Sequence, residues 1–153
     1  MEILTFARFI PWDEDIISEI AVRCLSEINS KDLSPLDPEK IIKLYSPDTI
    51  RESSQDPESP IFVAKKGPNI VGTVTISENR IRSFFVHPDF HYQWIGSFLL
   101  ENAETYIQEK GYDFAFLFSS VYALEFYKKY GYQEWWENID PKIGPMMELR
   151  KYF

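Results

Sequence analysis

Ile81-Arg82-Ser83-Phe84-Phe85-Val86-His87-Pro88-Asp89-Phe90-His91-Tyr92-Gln93-Trp94-Ile95-Gly96-Ser97-Phe98-Leu99-Leu100 is the stretch whose reading decides the fold. Residues 81–86 form an apolar-rich strand and His87 to Phe90 a turn. A helix then runs from Gln93 to Lys110, with Ile95, Leu99, Ala103 and Ile107 on one stripe and Phe98 and Tyr106 beside it. Gly111 stops that helix as a left-handed cap residue would. A helix N-terminus carries unpaired backbone N–H groups and the positive end of the macrodipole, so the strand–turn–helix unit is a candidate anion site. Most such units bind nothing, and the residues alone leave both readings open. Downstream, Tyr112 to Phe118 is almost continuously apolar, which predicts a central strand covered on both faces. Ser120 to Gly131 then reads as a helix with Ala123, Phe126, Tyr127 and Tyr130 on its stripe.

Working towards the N-terminus, Ile61–Lys66, Ile70–Ile76 and 81–86 read as an antiparallel meander. Its turns are Gly67-Pro68-Asn69 and Ser77-Glu78-Asn79-Arg80. Ser46 to Pro60 is a polar loop with a short helical turn at Thr49–Glu52. Asp37-Pro38-Glu39 opens a helix whose apolar face is Ile41, Ile42, Leu44 and Tyr45. Trp12-Asp13-Glu14-Asp15 caps an earlier helix, with Ile17, Ile20, Ala21, Cys24, Leu25 and Ile28 at helical spacing. Met1 to Phe9 supplies a first strand, and Tyr132–Trp136 and Met146–Tyr152 the last two. The order is therefore β-α-α-β-β-β-α-β-α-β-β over a single domain, residues 1–153. It predicts a mixed α/β fold: a central, mostly antiparallel sheet with helices on both faces.

Composition narrows the function. Against 16 basic residues stand 24 acidic ones, a net charge of −8, which argues against a nucleic-acid partner because phosphate binding needs clustered Lys and Arg. The same charge suits a cationic substrate such as an amine, or simply a solvating surface. No run of about 18 apolar residues predicts a membrane span, and no basic-then-apolar leader is present. One cysteine, Cys24, cannot form an internal disulfide, so a cytoplasmic protein is expected. Cys24 reads as a buried small hydrophobe rather than a reactive thiol. Metal-ligand spacing is absent, so no metal is expected. No Gly-rich P-loop or G-x-G-x-x-G supports a nucleotide-binding protein.

Three features, Val86-x-Pro88, Gln93-x-x-Gly96 and Phe126-Tyr127 followed by Gly131, stand in an order and spacing that resemble the GNAT superfamily of acetyl-CoA-dependent N-acetyltransferases. The resemblance covers essentially the whole chain. It implies that acetyl-CoA is the cosubstrate and that its pantetheine arm lies as a pseudo-strand along 81–86, where that strand splays from the next. Backbone contacts then fall at Phe84 and Val86, and the pyrophosphate rests on N–H groups from about Tyr92 to Ser97. The implied cofactor-binding set is Phe84, Phe85, Val86, His91, Tyr92, Gln93, Trp94, Ile95, Gly96, Ser97, Ser120 and Tyr127. The chain departs from the family's loop at His91, where Arg or Gln is usual, and at Tyr92 and Trp94, where glycines are. His91 brings a positive charge only when protonated. Trp94 either shields the amide cradle or packs at the helix start.

The implied activity is transfer of an acetyl group to a primary amine of a small molecule or peptide, by direct attack and without metal. Tyr127 is the implied catalytic acid, a phenol able to donate to a departing thiolate, although its place on the helical stripe equally suits core packing. Ser120 stands where relatives carry a cofactor-contacting Asn, or caps its helix. No general base is identified: Glu78, Glu134, Glu137 and Asp140 are candidates, and Arg80 stands where some relatives place theirs. Tyr45, Trp135 and Trp136 line an acceptor pocket or pack the hairpin. A monomer or homodimer is expected. The alternative is a CoA-binding or regulatory module of the same fold with little or no transfer.

Overall fold

The computed structural model describes residues 3–30, 37–91, 94–140 and 144–153. Five helices and seven strands follow one another as β1 (Leu4–Arg8), α1 (Glu14–Ser30), α2 (Pro38–Leu44), α3 (Pro47–Ser53), β2 (Ile61–Lys66), β3 (Asn69–Ser77), β4 (Arg80–Val86), α4 (Ile95–Glu109), β5 (Phe114–Ser119), α5 (Leu124–Lys129), β6 (Gln133–Asp140) and β7 (Gly144–Tyr152). A single 3-10 turn, Pro88–Phe90, separates β4 from α4. All seven strands join one sheet in the order β1-β2-β3-β4-β5-β7-β6, and every pairing is antiparallel except β4 with β5.

Alternation along β2 sorts the two faces. Phe62 and Ala64 point into the larger core with Leu99, Leu100, Ala103 and Ile107 of α4, whereas Ile61 and Val63 join Ile17 of α1 and Ile50 of α3. Helices therefore cover both faces, and each fully buried Ile or Leu contributes about 1.5–3 kcal/mol. Two buried carboxylates are paired across elements. Glu104 of α4 accepts from Tyr132 Oη at 2.8 Å and from Lys151 Nζ at 3.0 Å, tying the helix to β7 and to the entry of β6. Glu14 accepts from Arg51 at 2.9 and 3.0 Å, tying α1 to α3.

Several details differ from the sequence reading, among them the start of α5, at Leu124 rather than Ser120. The turn expected at Thr49–Glu52 is a full helix, capped by the Ser46 hydroxyl accepting from Thr49 N–H, and it buries Ile50. Asp37 caps α2 as anticipated, but of its expected apolar face only Ile41 is buried; Ile42 and Leu44 are both 57% exposed, because a helix of two turns turns one edge to the core. The helix expected from Gln93 begins at Ile95. Finally, β5 is not sealed on both sides: Ala115, Leu117 and Ser119 are buried against α4, while Phe114, Phe116 and Phe118 form a half-open aromatic face. Tyr92, Gln93 and the side chains of Ile28 and Asp140 lie outside the described residues.

Candidate active site

β4 and β5 run parallel but pair at one register position only, Arg80 with Phe116, where Phe116 N–H donates to Asn79 C=O at 3.1 Å. Beyond that point they diverge. The gap opens into a cleft of about 1230 Å³, walled by β4, α1 and α2 on one side and by β5, α5 and the start of α4 on the other.

On the β4 wall the ladder to β3 is broken by a bulge, in which Ser83 and Phe84 stand together opposite Val74. Ser83 takes a left-handed φ of 47°, an uncommon conformation for a side-chain-bearing residue, and its hydroxyl lies 3.2 Å from Tyr45 Oη. His87 N–H pairs with Val71 C=O, so the alternate peptide group of Val86 faces away from β3 and into the cleft. The Val86 carbonyl accepts from Cys24 Sγ at 3.2 Å and from His91 Nε2 at 3.0 Å, which leaves the N–H as the open group there. Cys24 is no nucleophile: burial pushes its thiol up to about 12.

At the α4 end, Phe98 N–H is the first among the described residues to bond back, to Trp94 C=O, and within those residues the N–H groups of Ile95, Gly96 and Ser97 have no helical partner. Trp94 holds the cap position at φ 65°, ψ 8° with no side-chain cap bond, and its indole is 73% exposed. It does not pack at the helix start. Gly96 allows a close approach, since a Cβ there would lie 3.1 Å from the Phe126 ring and the ring would have to give way. Lys129 lines the same end, its Nζ 5.9 Å from the Trp94 ring centre. Lys129 was not singled out in the sequence, because only the fold folds the end of α5 back beside the start of α4.

Tyr127 sits at the base of the cleft, 7% exposed, with its ring edge-on to Phe84 at 5.8 Å and beside Phe126 and Tyr132. Burial pushes its phenol above the ordinary 10. Ser120 follows β5, and its carbonyl accepts from Ala123 N–H; the cap position of α5 is Ala123, so the Ser120 hydroxyl is not the cap. Of the sequence candidates, Phe84, Phe85 and Val86 therefore line one wall. His91, Trp94, Ile95, Gly96 and Ser97 line the end, and Ser120 and Tyr127 the opposite wall. Tyr45 lines the cleft as well, but Trp135 and Trp136 do not, and both are exposed on the β6 hairpin. Among the described residues that line the cleft there is no carboxylate. Glu134, one candidate base, is bound to Lys128 at 2.8 Å.

These features fit the group they would hold. The first-turn amides and Lys129 suit a diphosphate, and the glycine-lined approach and broken strand edge suit an extended amide-bearing arm. A family model described as an acetyltransferase (GNAT) domain matches residues 26–142. A GCN5-related N-acetyltransferase from Rhodopseudomonas palustris superposes with TM-score 0.85 at 18% identity, covering 100% of this chain and 98% of its own. A PaiA N-acetyltransferase from Thermoplasma acidophilum, crystallised with coenzyme A, gives 0.78 at 19% identity over 99% of both chains. A streptothricin acetyltransferase from Bacillus anthracis, in complex with acetyl coenzyme A, gives 0.59 at 18% identity over 67% of both. No curated protein sequence matches the chain. Among the described residues, no helix is long and apolar enough to cross a membrane, and no three metal-ligating side chains gather.

Proposed function

The chain belongs to the GNAT acetyltransferase family, and from that premise we propose that it transfers the acetyl group of acetyl-CoA to the primary amine of a small molecule or peptide by direct attack. The observation that carries this reading is the gap between β4 and β5, with unpaired α4 amides at one end and Tyr127 at its base. Bound acetyl-CoA would supply the acetyl group as a thioester. Ile95, Gly96 and Ser97 N–H and Lys129 would hold its phosphates, and the Val86 N–H would hold an amide of its arm. The acceptor nitrogen forms a bond to the acetyl carbon as the carbon–sulfur bond breaks, and the nitrogen gives up one proton while sulfur gains one. Tyr127 is a weaker acid than a thiol, whose ordinary pKa is about 8.5. Its part is therefore to donate a hydrogen bond to the departing sulfur rather than to lose its proton outright. With no carboxylate in reach among the described lining residues, the acceptor arrives already neutral and its proton leaves through solvent. The lone cysteine suits a cytoplasmic setting.

Calorimetric titration with CoA and acetyl-CoA, followed by thiol release over a panel of amines, tests the proposal. Tyr127→Phe should lower kcat by about 10²-fold with a far smaller change in CoA affinity. Absence of CoA binding at millimolar ligand would remove the reading. Tight CoA binding with no turnover on any amine would instead favour a CoA-sensing module, for which the lack of a carboxylate among the described lining residues is the supporting observation.

A further inference from the structure

The charge of the cleft opposes the charge of the chain. In a protein of net charge −8, the described lining residues include Arg80, Arg82 and Lys129 but neither Asp nor Glu. Lys129 stands at the α4 end. Arg80 and Arg82 stand at the other, where β4 leaves the turn from β3, and there the cofactor's phosphates are out of reach.

Arg82 Nη1 is bonded to Ser77 Oγ at 3.1 Å. Arg80 is different. Its guanidinium lies 4.8 Å from the Phe118 ring centre, stacked on the open aromatic face of β5, and its buried Nε has no hydrogen-bond partner. Burial and the neighbouring Arg82 both push its pKa down, so it faces a like charge and no compensating acid. The nearest carboxylate by strand register, Glu148 beside Phe118, is already held by Arg150 at 2.7 Å. A partly buried, unpaired guanidinium is costly, and an incoming anion relieves it. The cleft also has apolar lining, including Ile41, Leu44 and Met146, and Phe118 is in direct contact with Arg80.

We propose that the acceptor is a small amine bearing a carboxylate and an apolar body, with the carboxylate held by the Arg80 guanidinium and the body against Phe118. The planar, doubly donating fork of one arginine matches a carboxylate in two parallel bonds. This deepens the acetyl-transfer reading and rests on it.

Matched pairs separate the two. Phenylalanine, phenylalaninamide and phenethylamine serve as acceptors. The products N-acetylphenylalanine and N-acetylphenethylamine are titrated calorimetrically into the protein with and without CoA. The carboxylate member of each set should be favoured by about 10-fold or more, in kcat/KM and in product affinity. Arg80→Gln should collapse that ratio towards one while CoA affinity is retained, and Arg80→Lys should restore only part of it. Equal or reversed preference, or a preference that survives Arg80→Gln, overturns the proposal while leaving acetyl transfer standing. So does a stronger preference for O-phosphoethanolamine. Should no amine turn over, the transfer reading fails, and the product titrations alone still decide whether Arg80 binds a carboxylate.

Discussion

Trp94 shows what a single backbone angle can hide. Its φ of 65° is where a residue with a Cβ carries a penalty of roughly 1–2 kcal/mol, and the indole gains nothing from burial to offset it. Glycine would relieve that penalty at the cost of about 0.5–1 kcal/mol of unfolded-chain entropy, so Trp94→Gly should stabilise by about 0.5–1 kcal/mol. Chemical denaturation reads the gain directly. Trp94→Ala is the control: it keeps the Cβ and loses the indole's contact with Lys129, so it should show no gain. A fall in stability for both variants would mean that the indole packs after all. The sequence named Trp94 as a departure from a glycine but not the reason, because periodicity registers which face a side chain takes and not the sign of φ. The same blindness covers Ser83, whose left-handed turn breaks the β4 ladder beside the cleft.

Elements that carry a cap and a full apolar stripe were legible: α1 and α4 fall where spacing and Gly111 put them, apart from the α4 start, where the chain spends one residue in the left-handed region first. α3 was underestimated because a proline-rich polar stretch looks like loop until Ile50 finds α1 and β2. What docks α3 besides Ile50 is the Glu14–Arg51 pair. The carboxyl of Glu14 is held below its ordinary 4.5, first by its own backbone N–H and then by Arg51 and the Trp12 N–H, acting against desolvation. A depressed folded value means that this group's stabilisation is complete above about 4.5 and fades as pH falls through the lowered value. Glu14→Gln should therefore lower the denaturation midpoint at pH 7 and make less difference as the pH approaches 3. A difference that is constant across pH would show that shape, and not charge, is what the pair supplies.

At the scale of the molecule the sheet is two sheets held by a seam. β1 to β4 form one ladder and β5 to β7 another, and they touch through the pairing of Arg80 with Phe116. The strand order made the meander and the last hairpin readable. It did not show where the seam opens, nor that an acidic chain would line the opening with Arg80, Arg82 and Lys129, because net charge is a sum without positions. The earlier match of that charge to a cationic acceptor does not carry into the cleft. Beyond Arg80 the seam has no strand pairing, which leaves the Val86 amide exposed to exchange, and an extended arm bound along β4 would protect it as a neighbouring strand does. CoA at 100 times its Kd should add about 2.7 kcal/mol to global stability. For a domain of this size that raises Tm by roughly 5–10 °C. The local signature is sharper than the global one. Hydrogen exchange should slow most at Val86 and in 95–97, the two places where open N–H groups face the cleft, and slow in the rest of the sheet only as far as global stability rises. Protection that appears instead on the exposed edge of β6, around Trp135 and Trp136, would place the ligand on the hairpin and leave the seam unexplained.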